Sequence, residues 1–321
     1  MSYNYEEEKP PSRFDQLKSR LAQENPNLNY VMTEFKDWSN SEQYLIFRKT
    51  NKYTHKNQYK AVKAAKRGND VYSWRLWKRL EKLHKLPQTQ FFNPKNRNQK
   101  QKTRALFFTL TYRREKRLDE AWEDVGTDFN RYLSGLKRRY GKVEILRCWE
   151  AQQDGYPHIH CVLLFHDCEF ETFYYNKKWR ISEKDDLCRN WHWGFSDVFA
   201  LYSLGAGIGY VTKYITKMHK ALQDEKPKRG LVLSLSMMWV FKKRAFSVTK
   251  GFGVFLVEEK ETRPYGQVDM IKNESIYEWT LVGFMVNDGR FSTWSVDLSY
   301  LEFWDIHGSD YFTFNKALLS D

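Results

Sequence analysis

Pro157-His158-Ile159-His160 sets two imidazoles two positions apart. Alternate side chains of a strand share a face, so His158 and His160 project together while Ile159, Cys161, Leu163 and Phe165 point the other way, into a core. Two imidazoles on one strand face form half a metal site. Glu150 lies earlier, on the other arm of a hairpin signalled by Asp154-Gly155. If the connection has an odd number of residues, such as Gln153–Gly155, Glu150 opposes His158 on the same face, with Gln152 as the fallback oxygen donor. A two-residue Asp-Gly turn would point it away. Two histidines and a carboxylate with open positions suit a divalent metal, Mg²⁺ or Mn²⁺, that carries a phosphate oxygen; imidazole tilts the preference toward Mn²⁺.

A second group supplies nucleophiles. Tyr210 and Tyr214 are one helical turn apart, each followed three residues later by a lysine, Lys213 and Lys217. At about 100° per residue the four share an arc roughly 130° from Leu204, Ile208, Val211, Ile215 and Met218, which form the core stripe. The tyrosines are therefore not needed for packing. A phenol attacks phosphorus once a metal polarises the phosphate and a nearby cation eases its deprotonation. Either lysine can do this or protonate the leaving oxygen. Thr109 and Thr111 alternate on a preceding strand with both hydroxyls on one face, to contact a DNA backbone or to support the metal site.

These residues need elements to position them. Leu106–Tyr112 reads as a strand, followed by a long amphipathic helix with the stripe Leu118, Trp122, Val125, Phe129, Leu133, Leu136 and Tyr140, ended by Gly141. Lys142–Gln152 and Tyr156–Phe165 form the hairpin. A short helix around Asp185–Trp193, a short strand in Gly194–Ala200 and a helix from about Ser203 to Ala221 complete the central third. Beyond it lie β-like runs at Phe252–Val257, Tyr277–Val286 and Phe291–Asp297. The near-apolar run Leu231–Phe241 is too short to span a bilayer, so no membrane partner is expected. Gly135, Gly141 and Lys142 do not make a phosphate loop, since Val143 stands where Ser or Thr is required.

The chain has 321 residues, with 12 Trp, 20 Tyr and 22 Phe beside a formal charge of +13. Rings together with positive charge suit a polyanion that offers bases to stack on. Residues 48–104 hold 18 Lys and Arg against 2 acids, and the charges that follow cancel. Within this segment Lys60, Lys63 and Arg67 fall at helical spacing. Tyr72–Leu86 repeats Leu76, Trp77, Leu80 and Leu83 on one face, with Lys78, Arg79, Lys82 and Lys85 on others. The expectation is two short basic helices that contact phosphates of duplex DNA, followed by a linker or arm over Pro87–Arg104. Four cysteines without a zinc spacing, and an acidic N-terminus in place of a leader, predict a cytoplasmic, non-secreted protein of the host cell.

Phe107-Phe108-Thr109-Leu110-Thr111, Pro157-His158-Ile159-His160 and Tyr210–Lys217, in this order, resemble the three motifs of the HUH endonucleases, and among them the two-tyrosine initiators of rolling-circle replication in plasmids and viruses. The resemblance covers about residues 105–220. It implies an α+β fold of the ferredoxin-like, split βαβ kind: an antiparallel sheet flanked by helices, with the histidines on a central strand and the tyrosine helix packed across it. It also implies nicking of single-stranded origin DNA, a 5′-phosphotyrosine intermediate with a free 3′-OH, and rejoining at termination. Host helicase and polymerase are the implied partners. The resulting division is a basic helical region with its linker at 1–104, the nuclease domain at 105–222 and a β-rich region at 223–321. The rival readings are a single-tyrosine transposase of the same fold and a non-catalytic DNA-binding regulator.

Overall fold

Helix α1 (Arg13–Leu21) and helix α2 (Leu28–Asn40) open a computed structural model that describes residues 11–221, 226–253, 277–287 and 291–295. Then come β1 (Glu42–Asn51), β2 (Asn57–Lys63), α3 (Asp70–His84), β3 (Gln101–Thr103), β4 (Ala105–Thr111), α4 (Leu118–Tyr140), β5 (Val143–Ala151) and β6 (Pro157–Phe165). After them follow β7 (Phe170–Tyr175), β8 (Lys178–Ile181), α5 (Lys184–Cys188), β9 (Ser196–Ala200), α6 (Leu204–Ala221), α7 (Arg229–Val240), β10 (Phe246–Val248), β11 (Tyr277–Asn287) and β12 (Phe291–Ser295). The architecture is α+β, with antiparallel sheets.

The central sheet has the order β10, β5, β6, β4, β9, and every neighbour pair is antiparallel. Period-two alternation divides its side chains between two cores. On one face Leu106, Phe108 and Leu110 of β4 and Ile159, Cys161, Leu163 and Phe165 of β6 meet the α4 stripe, with α1, α2 and α7 extending the helical layer. On the other, Phe107, Leu146, Cys148, Val162 and Leu164 are covered by Leu204, Ile208, Val211 and Ile215 of α6 and by Leu76, Leu80 and Leu83 of α3. The core stripe expected on α6 is buried throughout, with Met218 joining the first core. Gly207 lets α6 sit close on the sheet, since a Cβ there would lie 2.7 Å from Leu201 and 3.0 Å from Val162.

The hairpin between β5 and β6 settles the register question. Gln152 N–H donates to the Tyr156 carbonyl and Gly155 N–H to the Gln152 carbonyl, leaving a three-residue loop, Gln153–Gly155. Gly155 takes φ +89°, the left-handed residue that such loops use to re-enter the ladder. The odd count sets Glu150 opposite His158. Trp122, wholly buried on α4, donates its indole N–H to the Gly155 carbonyl at 2.7 Å, tying the turn to the helix layer. Truncating a ring so buried costs about 3–5 kcal/mol.

The flanking regions depart from expectation. Residues 57–63 are strand rather than helix, because β2 pairs with β1 and β1 with β11 in a sheet of order β12, β11, β1, β2. Lys60 and Lys63 thus sit at strand spacing. Arg67 is not presented to a ligand: it is fully buried, its guanidinium donating to the Leu235 and Lys243 carbonyls. On α3, Leu76, Leu80 and Leu83 are buried as expected, but Trp77 is 57% exposed, because Tyr72 takes the fourth core position. Arg79 is half-buried, its guanidinium lying over Phe246, while Lys78 and Lys82 are exposed.

The stretch Pro87–Arg104 is docked rather than free. Phe91 N–H donates to the Tyr202 carbonyl, Phe92 is buried against Trp179, and β3 pairs with β7. The packing also crosses the expected region boundaries, since β11 joins β1, and α1, α2 and α7 share one core with α4. Helix α7 is legible in the sequence only as an apolar run; it is a helix buried from Val232 to Val240. The runs Phe252–Val257 and Phe291–Asp297 lie partly outside the described residues. Among the described residues no helix is long and apolar enough to cross a membrane.

Candidate active site

Three strands lay out the site in rows on the face covered by α6. Glu150 of β5, His158 of β6 and Thr111 of β4 form one row, and Cys148, His160 and Thr109 the next. The ligand atoms of Glu150, His158 and His160 all lie within 4.8 Å of one another. Glu150 Oε2 is 3.0 Å from His160 Nε2. The two Nδ1 atoms are backed by the threonines: Thr111 Oγ1 is 3.1 Å from His158 Nδ1 and Thr109 Oγ1 3.5 Å from His160 Nδ1. Of the two roles open to the threonines in the sequence, the geometry favours the support of the histidines.

This donor set fits a divalent metal. Two ligands about 2.1 Å from one ion and at right angles to each other are about 3 Å apart, the spacing found between His160 and Glu150. An outer partner on Nδ1 is the usual device that orients a ligating imidazole and fixes its tautomer. Burial, with His160 adding to it, pushes His158 down to about 4, while Glu150 acts in the opposite sense. The ring is therefore neutral at physiological pH, with a lone pair to give.

Helix α6 brings the phenols. The Tyr214 ring stacks on the His160 ring, centroids 4.1 Å apart and planes 13° from parallel. Burial, and then the Glu150 carboxylate, push its hydroxyl above the ordinary phenol range. Tyr210, one turn earlier, is 47% exposed and leans on Phe107 at 5.3 Å and Phe199 at 5.8 Å. Lys213 and Lys217 lie on the exposed side of α6 and make no hydrogen bond or ion pair among the described residues. The structure thus gathers Glu150, His158, His160, Thr109, Thr111 and Tyr214, with Tyr210 one turn away against Phe107 and Phe199 and the two lysines on the exposed side of α6. Lys78 and Lys82 lie on α3, which packs against α6, and Lys60 and Lys63 on β2 of the other sheet.

Sequence reasoning missed strand β9 as part of this face. Asp197 stands opposite Thr109 and Phe199 opposite Phe107. The short strand at Gly194–Ala200 was readable, but its pairing with β4 depends on a long-range register that no local pattern encodes.

Residues 105–219 match a family of replication-associated proteins, the one described by its ORF2 members, over a segment that runs from β4 into α6 and contains every residue of the cluster. The matched segment, 115 of the 321 residues, is similar to replication-associated proteins. No curated protein and no solved structure gives a significant match to the chain.

Proposed function

We propose that the protein is a replication initiator of the two-tyrosine HUH type, which nicks single-stranded origin DNA and rejoins strands at termination. The observation that carries the reading is the stack of Tyr214 on His160, which sets a phenol against a cluster of two imidazoles and one carboxylate. Bound there by Glu150, His158 and His160, a Mg²⁺ or Mn²⁺ ion would polarise a phosphodiester oxygen. The phenol oxygen of one tyrosine attacks phosphorus and the P–O3′ bond breaks. The phenolic proton passes to solvent, and O3′ takes a proton from solvent or from a lysine of α6 and leaves as a free hydroxyl. The 5′-phosphate is then held as a tyrosine ester. Because one phosphodiester replaces another, the reverse attack by a 3′-OH rejoins strands without another energy source. The second tyrosine serves the second transfer. The cations of the basic segment, Lys78 and Lys82 on α3 with Lys60 and Lys63 on β2, supply sequence-independent contacts to duplex phosphates.

The test is incubation with a labelled single-stranded origin oligonucleotide and Mn²⁺. A denaturation-resistant adduct is expected, lost with chelator and lost in Tyr210→Phe/Tyr214→Phe. An adduct that persists in the double variant would contradict the assignment. A regulator without catalysis would show unchanged function in that variant and no adduct in the parent.

A further inference from the structure

The hairpin of β7 and β8 has one buried face and one open face. Phe170, Thr172, Trp179 and Ile181 are buried, while Phe173 and Tyr175 are 40% and 68% exposed on the opposite side. Cross-strand pairing sets Phe173 beside Arg180 and Tyr175 beside Lys178, so the open face alternates rings and cations. That face runs on toward the site. Lys178 Nζ lies 5.7 Å over the Phe199 ring, and Phe199 in turn packs on Tyr210. Arg180 Nη1 lies 3.3 Å from Asp197, which also takes Lys184 at 2.8 Å and sits in the Thr109 row. With Lys178 close enough to act on the same carboxylate, the join between hairpin and sheet gathers three cations around Asp197. Phe195, whose carbonyl accepts the Thr111 N–H, adds a ring 65% exposed at the end of this edge.

We infer that the open face of this hairpin, with the β9 edge, is a stacking platform for the single strand next to the reacting phosphate. The inference rests on the reading of the site as a DNA-nicking centre. Two features favour single-stranded DNA over other occupants. Alternate residues of a strand are about 6.7 Å apart, wider than the about 3.4 Å step of bases stacked in a duplex, so Phe173 and Tyr175 suit a strand drawn out of its duplex stack. A duplex presents phosphates but no free base faces, and would leave these rings unused. The cations interleaved with the rings match a polyanion whose bases are exposed. The platform ends at Phe199, against Tyr210, so a strand laid along it delivers its next phosphate to the phenols.

The experiment measures fluorescence anisotropy of a labelled mixed-sequence 20-mer, single-stranded and then as a duplex. It uses the full chain carrying Tyr210→Phe/Tyr214→Phe, without divalent metal, so that no strand is cut. Adding Phe173→Leu/Tyr175→Leu, which keeps apolar bulk and removes the rings, is expected to weaken single-strand binding about tenfold or more. Duplex binding should stay within twofold. The ring-preserving pair Phe173→Tyr/Tyr175→Phe should bind both as the parent does. Unchanged single-strand affinity in the Leu pair, an equal loss on duplex, or no single-strand binding by the parent would each overturn the inference. If the wild-type chain forms no adduct with Mn²⁺, the nicking reading falls while the anisotropy result stands by itself.

Discussion

The two faces of the β4, β5 and β6 strands are made from the same backbone but differ in what they do. On the α4 face Phe108, Ile159, Cys161 and Leu163 are wholly buried in the core. On the α6 face one end of the strands is equally apolar, with Phe107, Val162 and Leu164, and the other carries Thr109, His160, Thr111 and His158. A single register thus serves two purposes. The packed face fixes the positions of the strands, and those strands hold the polar rows at hydrogen-bonding distance. The apolar face holds the strands in place, and on the other face Thr109 and Thr111 orient the histidines.

That contrast can be broken from either side. The largest effect is expected on the packed face: Phe108→Ala removes a wholly buried ring and should cost about 3–5 kcal/mol in denaturant-induced unfolding. Metal affinity per folded molecule should change little. Arg67→Ala should come next, at about 2 kcal/mol or more of stability, because it strips charged donors from the Leu235 and Lys243 carbonyls. DNA affinity measured on the folded fraction should be unchanged, in contrast to a phosphate contact. On the polar face, Thr111→Val keeps shape and removes the hydroxyl behind His158; isothermal titration with Mn²⁺ should show a loss of about 10–100-fold. Thr109→Val should lose less, since its contact is the longer at 3.5 Å. The smallest change is expected from Lys78→Ala/Lys82→Ala, which should leave stability within about 0.5 kcal/mol. It should also lower the slope of log affinity against log salt by about 2 on duplex DNA.

The site was largely legible in the sequence because its parts are local and periodic. His158 and His160 need only strand alternation, Tyr210 and Tyr214 only the helical angle, and the core stripes on α4 and α6 only spacing by three and four. Glu150 was legible up to the parity of one turn, which Gly155 decides. The basic segment was misread for a physical reason: the spacing of Lys60, Lys63 and Arg67 also occurs by chance in a strand and loop, and pairing of β2 with β1 overrode it. Charge counting likewise placed Arg67 at a surface, although burial against main-chain carbonyls can hold a guanidinium in a core. The four-stranded sheet of β1, β2, β11 and β12 joins residues more than two hundred apart, which no local pattern reveals.

Whether the polar face directs a phenol at phosphorus is decided by digesting the adduct formed with an origin oligonucleotide and Mn²⁺, then mapping the nucleotide-bearing peptide by mass spectrometry. A nucleotide on Tyr210 or Tyr214, joined through its 5′-phosphate, is expected. A modification on any other residue, or attachment through a 3′-phosphate, would contradict that expectation.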